Sequence, residues 1–244
     1  MQSLQIKLNP NYTLQSQTIK SGHECLIIDD FLDNAEEVIA WAETARPHFL
    51  HQERAYPGLI LPLDESVADP LHRFIRSELS RAFGFLRGGI DFQTQVSLTT
   101  MQPEDFSWIQ CLPHSDPRQS ADRVNYATVL YLFEDQSLGG TGFYRWRDLE
   151  FWQDMTQRQL NDPEGGLELL RERFEMFRKP WQYTTESNEA VELLTMVPAR
   201  FNRIICYSGD IPHNAFVSHP ERLTDDPRSG RLTLNSFASV LPRA

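Results

Sequence analysis

The sequence contains no run of the roughly 18 apolar residues that a membrane-spanning helix requires. It holds no basic stripe either. Asp and Glu, 34 in number, exceed the 23 Lys and Arg, and the formal net charge of −11 argues against a phosphate-backbone partner such as nucleic acid. Cysteine is sparse. Cys25, Cys111 and Cys206 are odd in number and far apart, which fits reduced thiols in a cytoplasm better than a disulfide framework. Cys111 and Cys206 lie in apolar runs, as small core residues do. The opening stretch from Met1 to Tyr12 has no charged start followed by an apolar segment, so no secretory signal is expected and the predicted location is cytoplasmic. There is no internal repeat and no low-complexity tract.

What is present is a globular composition, 40% hydrophobic and 23% charged over 244 residues, enough chain to bury a substantial core. The residues up to Lys20 read as an extended edge in which Leu4, Ile6 and Leu8 alternate with polar neighbours, and Cys25 to Ile28 as a short buried strand. Asp33 followed three residues later by Glu36 has capping-box spacing. Val38, Trp41, Ala42 and Ala45 then give the helix one apolar face, ended by Pro47. His48, His51 and Glu53 show neither period, so they read as a solvated loop rather than a metal cluster. Pro57, Gly58 and Pro62 are expected to keep the chain irregular. A second helix presents Leu71, Phe74, Ile75, Leu79, Ala82 and Phe83 to the core, with Gly84 just past its end and His72 on its polar, surface side.

From Gly88 and Gly89 the period changes to two. Phe92, Val96 and Leu98 alternate with Gln93, Gln95, Ser97 and Thr99, a polar strand face suited either to a wet pocket or to solvent. Tyr126 to Phe133 is a near-continuous apolar strand, and Gly139 to Tyr144 begins another whose glycines suit a turn or close backbone approach. Residues 145–180 take up a helical habit. The aromatics there and just beyond, Trp146, Phe151, Trp152, Phe174, Phe177 and Trp181, either pack helices onto a sheet or cover a pocket mouth, and packing is the simpler expectation. Strands resume at Trp181 to Thr184, Val191 to Val197 and Phe201 to Tyr207. A tight turn through Ser208, Gly209 and Asp210 leads into Ile211 to Val217, and Arg231 to Val240 closes the chain. Short strands, two helices in front and one helical insertion predict a mainly β single domain over residues 1–244, a jelly roll or double-stranded β-helix.

The chemistry centres on His114-Ser115-Asp116. On an extended chain residues i and i+2 share a face, so an imidazole and a carboxylate project side by side. They form two thirds of a facial triad that leaves the opposite metal positions open. One H-x-D between prolines such as Pro113 and Pro117 is equally a surface turn; its company is what counts. A buried strand follows it, then the glycine-rich strand, a hairpin carrying His213, and finally Arg231 with Thr233 two residues on.

This order resembles the iron(II)- and 2-oxoglutarate-dependent dioxygenases, especially the prolyl-hydroxylase-like branch, over about residues 92–240, and Ile28 to Leu32 with the front helices look similar as well. The resemblance implies His114, Asp116 and His213 as metal ligands. It implies Arg231 as the guanidinium that forks onto the far carboxylate of 2-oxoglutarate, with Thr233 on the same strand face. Iron(II), 2-oxoglutarate and O2 are the implied cofactors and co-substrates, and the implied reaction is hydroxylation of a C–H bond in a peptide side chain, an amino acid or a small metabolite. Arg231 lies 18 positions beyond His213, further than the family's spacing, and His219 would shorten the gap to 12. His213 is preferred because it follows a strand and a tight turn, while His219 stands between Ser218 and Pro220 at the start of a loop. Gln95, Ser97, Thr99 and Asn125 are candidate pocket residues on strand-face grounds. The alternative is a non-catalytic or differently metallated cupin-like binding protein, for which a guanidinium facing the metal cavity has no use. Exposed edge strands add the expectation of a homodimer.

Overall fold

Two antiparallel sheets carry the chain in the computed structural model, which describes residues 4–20, 22–51, 56–83, 90–117 and 119–241. Expectations placed on Glu53, Gly84, Gly88 and Gly89, and on the side chains of Leu79 and Phe83, lie outside the described positions. The strands are β1 (Thr13–Thr18), β2 (Glu24–Asp29), β3 (Leu50–His51), β4 (Gly58–Pro62), β5 (Ile90–Thr99) and β6 (Val124–Tyr131). They continue with β7 (Gly140–Trp146), β8 (Val191–Val197), β9 (Arg203–Ser208), β10 (His213–Phe216) and β11 (Arg231–Val240). The larger sheet runs β1-β2-β9-β6-β11-β5-β4-β3 and the smaller one β10-β7-β8. Helices α1 (Ala35–Ala45), α2 (Glu65–Phe83), α3 (Leu149–Asn161) and α4 (Pro163–Arg173) complete the described elements. None of them is long and apolar enough to cross a membrane.

Alternation along the strands assigns the layers. On β2, Leu26 and Ile28 face one core while Cys25 and Ile27 face another, which is why the sequence reads as continuously apolar there. The first core lies between the larger sheet and the front helices. Val38, Ile39 and Ala42 of α1 and Leu71 and Ile75 of α2 cover Val96, Leu98, Leu130 and Leu234. The second core fills the space between the sheets, where Ile27, Ala127, Ile205 and Tyr207 meet Phe143, Leu194 and Val197. Each fully buried aliphatic chain of this kind contributes about 1.5–3 kcal/mol. A third cluster packs Trp152, Met155, Leu170, Phe174 and Phe177 of the helical segment on Tyr144 and Val191 of the smaller sheet. Trp152 lies 4.6 Å from Trp146 and is stacked 5.6 Å from Phe174, while Trp181 packs against the second core, so these aromatics hold elements together, and Phe177 and Trp181 also border an outer groove.

Several local expectations are corrected. Helix α1 begins at Ala35 with Asn34 at its N-cap, and no Asp33–Glu36 capping box forms. Asn34 instead ties down the N-terminal segment: its Oδ1 accepts from Lys7 N at 3.0 Å and its Nδ2 donates to Gln5 O at 2.8 Å. Residues 58–62 are not irregular but form β4, because the missing Gly58 side chain lets that strand close on β5; a Cβ there would overlap Leu98 O. Trp181 to Thr184 is extended without strand pairing, and Arg145 and Trp146 belong to β7 rather than to the helical segment. Ala82 is exposed. His72 is buried, not surface: its Nε2 lies 2.7 Å from Thr94 Oγ1, and its ring stacks 4.2 Å from that of Phe92. His48 and His51 are exposed, although His51 ends the short strand β3.

Candidate metal centre and its cavity

Backbone pairing brings the H-x-D segment to the hairpin that carries His213. His114 N donates to His213 O at 3.0 Å, and His213 N donates back to His114 O at 2.9 Å. Two residues along, Asp116 N donates to Gly209 O at 2.8 Å, while Ser115 Oγ donates to Asp210 O at 3.0 Å from the outward face. The alternation expected of an extended segment therefore holds, with His114 and Asp116 on the inner side and Ser115 on the outer. Asn125 is not among the residues lining the cavity beside His114; its Nδ2 donates to Asp116 O and Pro117 O at 3.2 and 2.9 Å and fixes the loop from behind. Gly209 passes so near that a Cβ would overlap Asp116 Oδ2.

The result is one cluster. Ligand atoms of His114, Asp116 and His213 all lie within 4.8 Å of one another, and Asp116 Oδ1 is 3.9 Å from Nε2 of each histidine. His213 Nδ1 sits 2.8 Å from Ile211 O; a carbonyl only accepts, so Nδ1 carries the proton and the Nε2 lone pair faces the carboxylate. The Tyr207 ring stands edge-on at 4.8 Å and blocks rotation of that imidazole. Desolvation pulls the His114 imidazole down to about 4, reinforced by neighbouring His213 and opposed by Asp116. Desolvation also brings His213 to about 4 against the Ile211 hydrogen bond. Burial pushes the Asp116 carboxyl up to about 6, with His114 opposing. At neutral pH the set is two neutral imidazoles and one carboxylate, the protonation that a divalent cation requires. Asp116 Oδ2 is buried without a hydrogen-bond partner, a costly condition that a cation beside it removes. The donor set fits a metal ion.

A cavity of about 90 Å³ opens from His114 and His213 and reaches Arg231, Thr233 and Asn235 on β11. Arg231 is 3% exposed and spends its donors on neutral acceptors: Nε on Leu138 O at 3.0 Å, Nη1 on Thr99 Oγ1 at 3.2 Å, Nη2 on Gly140 O at 2.7 Å. Among the described residues no carboxylate pairs with it. Thr233 Oγ1 is likewise buried without a partner. Register places Thr99, Ser97 and Gln95 opposite Arg231, Thr233 and Asn235, and cross-strand partners share a face, so the polar side of β5 turns to the cavity side, although none of these three β5 residues is among those lining the cavity. Ser97 accepts from Asn235 Nδ2 at 3.1 Å and Gln95 donates to Ser97 at 3.3 Å. His219 lies elsewhere, exposed, 3.1 Å from Glu221.

Over residues 10–238 the sequence matches DUF6445, a family of unknown function. The chain belongs to that family. No curated protein matches this DUF6445 chain. Among solved structures it is similar to a Pseudomonas putida prolyl-4-hydroxylase, at 13% identity and a TM-score of 0.41 over 95% of this chain and 92% of the other. It is similar also to HygX from Streptomyces hygroscopicus, solved with nickel and 2-oxoglutarate bound, at 12% identity and 0.43 over 91% and 83%. EvdO2 from Micromonospora carbonacea var. aurantiaca gives 12% and 0.44 over 93% and 88%. Likeness so distant says nothing about the reaction of the DUF6445 chain, which rests on its own side chains.

Sequence reasoning missed several cavity residues of this DUF6445 chain. Tyr56, Thr141, Tyr183, Tyr207, Asn214 and Phe237 all line it. Thr141 carried a signal in retrospect, standing next to Gly140, whose carbonyl accepts from Arg231. Tyr56 carried none, because it comes from a segment without periodicity, and Tyr183 stood in a stretch read as a strand that pairs with no other. Burial raises both phenols, so they remain neutral donors; Tyr56 Oη is 3.0 Å from Thr99 Oγ1 and Tyr183 Oη donates to Met101 O at 2.9 Å.

Proposed function

We propose that this chain is an iron(II)- and 2-oxoglutarate-dependent oxygenase on a double-stranded β-helix, hydroxylating a C–H bond of a substrate admitted beside His114. The observation that carries the reading is a three-donor cluster and an unpaired buried guanidinium sharing one cavity. A buried charge facing only neutral acceptors is costly unless an anion completes it, and a plain metal binder has no use for one. His114, Asp116 and His213 would hold the iron, and Arg231 with the Thr233 hydroxyl would take the far carboxylate of 2-oxoglutarate, as a planar fork and a neighbouring donor suit one anion. When bound, the iron and its co-substrate supply the activation of O2. The protein's part is positioning: Ile211 O and Tyr207 fix the His213 ring, Gly209 and Asn125 fix the Asp116 segment, and Phe237, Val129 and Ala215 keep the cavity apolar between its polar ends.

The test is anaerobic titration of the chain with iron(II) and 2-oxoglutarate, following the weak metal-to-ligand absorption band. The wild type should develop the band and His213→Ala should not. Arg231→Ala should bind metal normally but need far more 2-oxoglutarate. Absence of the band in the wild type, or an unchanged band in His213→Ala, overturns the reading.

A further inference from the structure

A second depression lies outside the wall of this cavity. It is an open groove of about 690 Å³ bordered by the C-terminal end of α4, by the chain from Phe177 to Gln182, and by Pro103 and Glu104 across from them. The two depressions share one wall: Trp181 and Gln182 line the groove, and the next residue, Tyr183, lines the inner cavity.

The charge of the groove departs from that of the molecule. Acidic residues dominate the sequence, and most described arginines face a carboxylate, as Arg145, Arg173, Arg203 and Arg228 do. Arg171 and Arg178 are both exposed and neither forms an ion pair with a described residue, although Arg178 lies near enough to Glu175 to add to the lowering of its carboxyl by Lys179. Arg178 turns back onto the last carbonyls of α4, donating to Arg171 O and to Glu172 O at 2.6 Å, which fixes its guanidinium at the groove without neutralising it. Lys179 adds a third cation, tied to Glu175 at 2.8 Å. Glu104 is the one carboxylate on the rim. Between the charges stand Trp181, Pro103 and Pro180, an apolar floor.

We propose that this groove binds an acidic peptide segment, so that the substrate is a polypeptide carrying Asp or Glu beside the residue to be oxidised. The assignment rests on the oxygenase reading for its catalytic meaning. Size favours a peptide over a free small acid. The inner cavity measures about 90 Å³ and is the space assigned to 2-oxoglutarate, so the bulk of any substrate must lie outside it. The adjoining groove offers that space, with cations for carboxylates and an apolar floor for the intervening side chains.

The test compares two fluorescein-labelled peptides of equal length, with a central Leu flanked by alternating Gly-Glu or Gly-Gln, binding to the full chain by anisotropy. The Glu peptide should bind about tenfold or more tightly at low salt, and salt should remove the difference. Arg171→Gln, whose side chain makes no hydrogen bond or ion pair with a described residue, should weaken the Glu peptide about three- to fivefold and leave the Gln peptide unchanged. Arg178→Gln should act likewise, with a melting curve to register loss of its helix contacts, and Glu104→Gln should tighten the Glu peptide. Equal affinity for the two peptides, or an unaltered affinity in Arg171→Gln, overturns the proposal. So does displacement of the Glu peptide by free succinate as effectively as by unlabelled peptide. The iron and 2-oxoglutarate band should be intact in Arg171→Gln; a missing band in the wild type would defeat the oxygenase reading and leave the peptide comparison to be judged separately.

Discussion

Gly209 and Asp116 are packed so closely that a Cβ on the glycine would overlap Asp116 Oδ2 and lie 3.1 Å from its Cβ and Cγ. The absent side chain is therefore a condition for the carboxylate to stand where both imidazoles can reach it. Gly209→Ala should lower affinity for a divalent metal about tenfold or more, the size of effect seen when the supports of metal ligands are disturbed. The melting temperature of the metal-free protein should change little. Calorimetric titration with manganese or iron(II) measures the first quantity, and unchanged affinity would show that the carboxylate does not hold the ion.

Arg231 joins β11 to the glycine-rich strand through Leu138 O and Gly140 O, so it is structural as well as a candidate anion site. Arg231→Lys keeps a charge but loses the fork. It should cost about 1–3 kcal/mol in urea unfolding and weaken 2-oxoglutarate binding about tenfold or more. If only stability falls, the arginine serves the fold alone.

Proton competition at the cluster should be governed by Asp116. With both histidines at about 4 and Asp116 at about 6, the carboxylate is the first group to take a proton as pH falls. Metal affinity should be flat above about pH 7 and decline with a slope near one proton between pH 6 and 4. In the metal-free protein the signs divide. The histidines stay neutral while the unfolded chain charges below about 6.5, so they withdraw stability as pH falls from there to about 4. Asp116 takes its proton first in the folded state and opposes that loss between about 6 and 4. Asp116→Asn should abolish the slope in metal affinity and steepen the acid destabilisation, both measurable by titration and by urea curves against pH.

At the far end of the larger sheet Arg203 forks onto Asp29, with Nε to Oδ1 at 2.6 Å and Nη2 to Oδ2 at 3.0 Å, both side chains largely buried. The hydrogen bond from Arg203 holds the Asp29 carboxyl below the usual range. A depressed folded value means stability that is present above about pH 4 and lost as pH drops through that folded value. Asp29→Asn should therefore destabilise by about 2 kcal/mol at pH 7, and the difference should vanish in strong acid. A constant difference across pH would mean packing, not charge, is at stake.

Much of the sheet could be read from the chain because its signals are local. The polar face of β5 and the placement of Arg231 and Thr233 follow from a period of two, which any extended segment obeys. His72 was misread for the opposite reason. It borders the apolar stripe of α2, and only the arrival of Thr94, itself 2.8 Å from Ser236, gives it a polar partner inside the core. Strand β4 was missed because Pro57 and Gly58 signal a break, whereas the glycine is there to admit a neighbouring backbone.

The sequence alone determined that His114 and Asp116 share a face and that Arg231 and Thr233 share another. It preferred His213, which follows a strand and a tight turn, but the 18-residue gap from His213 to Arg231 kept His219, 12 residues before it, as a rival. In the tertiary structure the backbone pair His114–His213 brings His213 to the H-x-D segment, and His219 lies beside Glu221 at the surface. Register between strands distant in sequence is fixed by hydrogen bonds and by the packing of two cores, and no local period encodes it. The same holds for the cavity: which phenols and amides close around a charge depends on where separate segments cross, and that is settled only when the sheets meet.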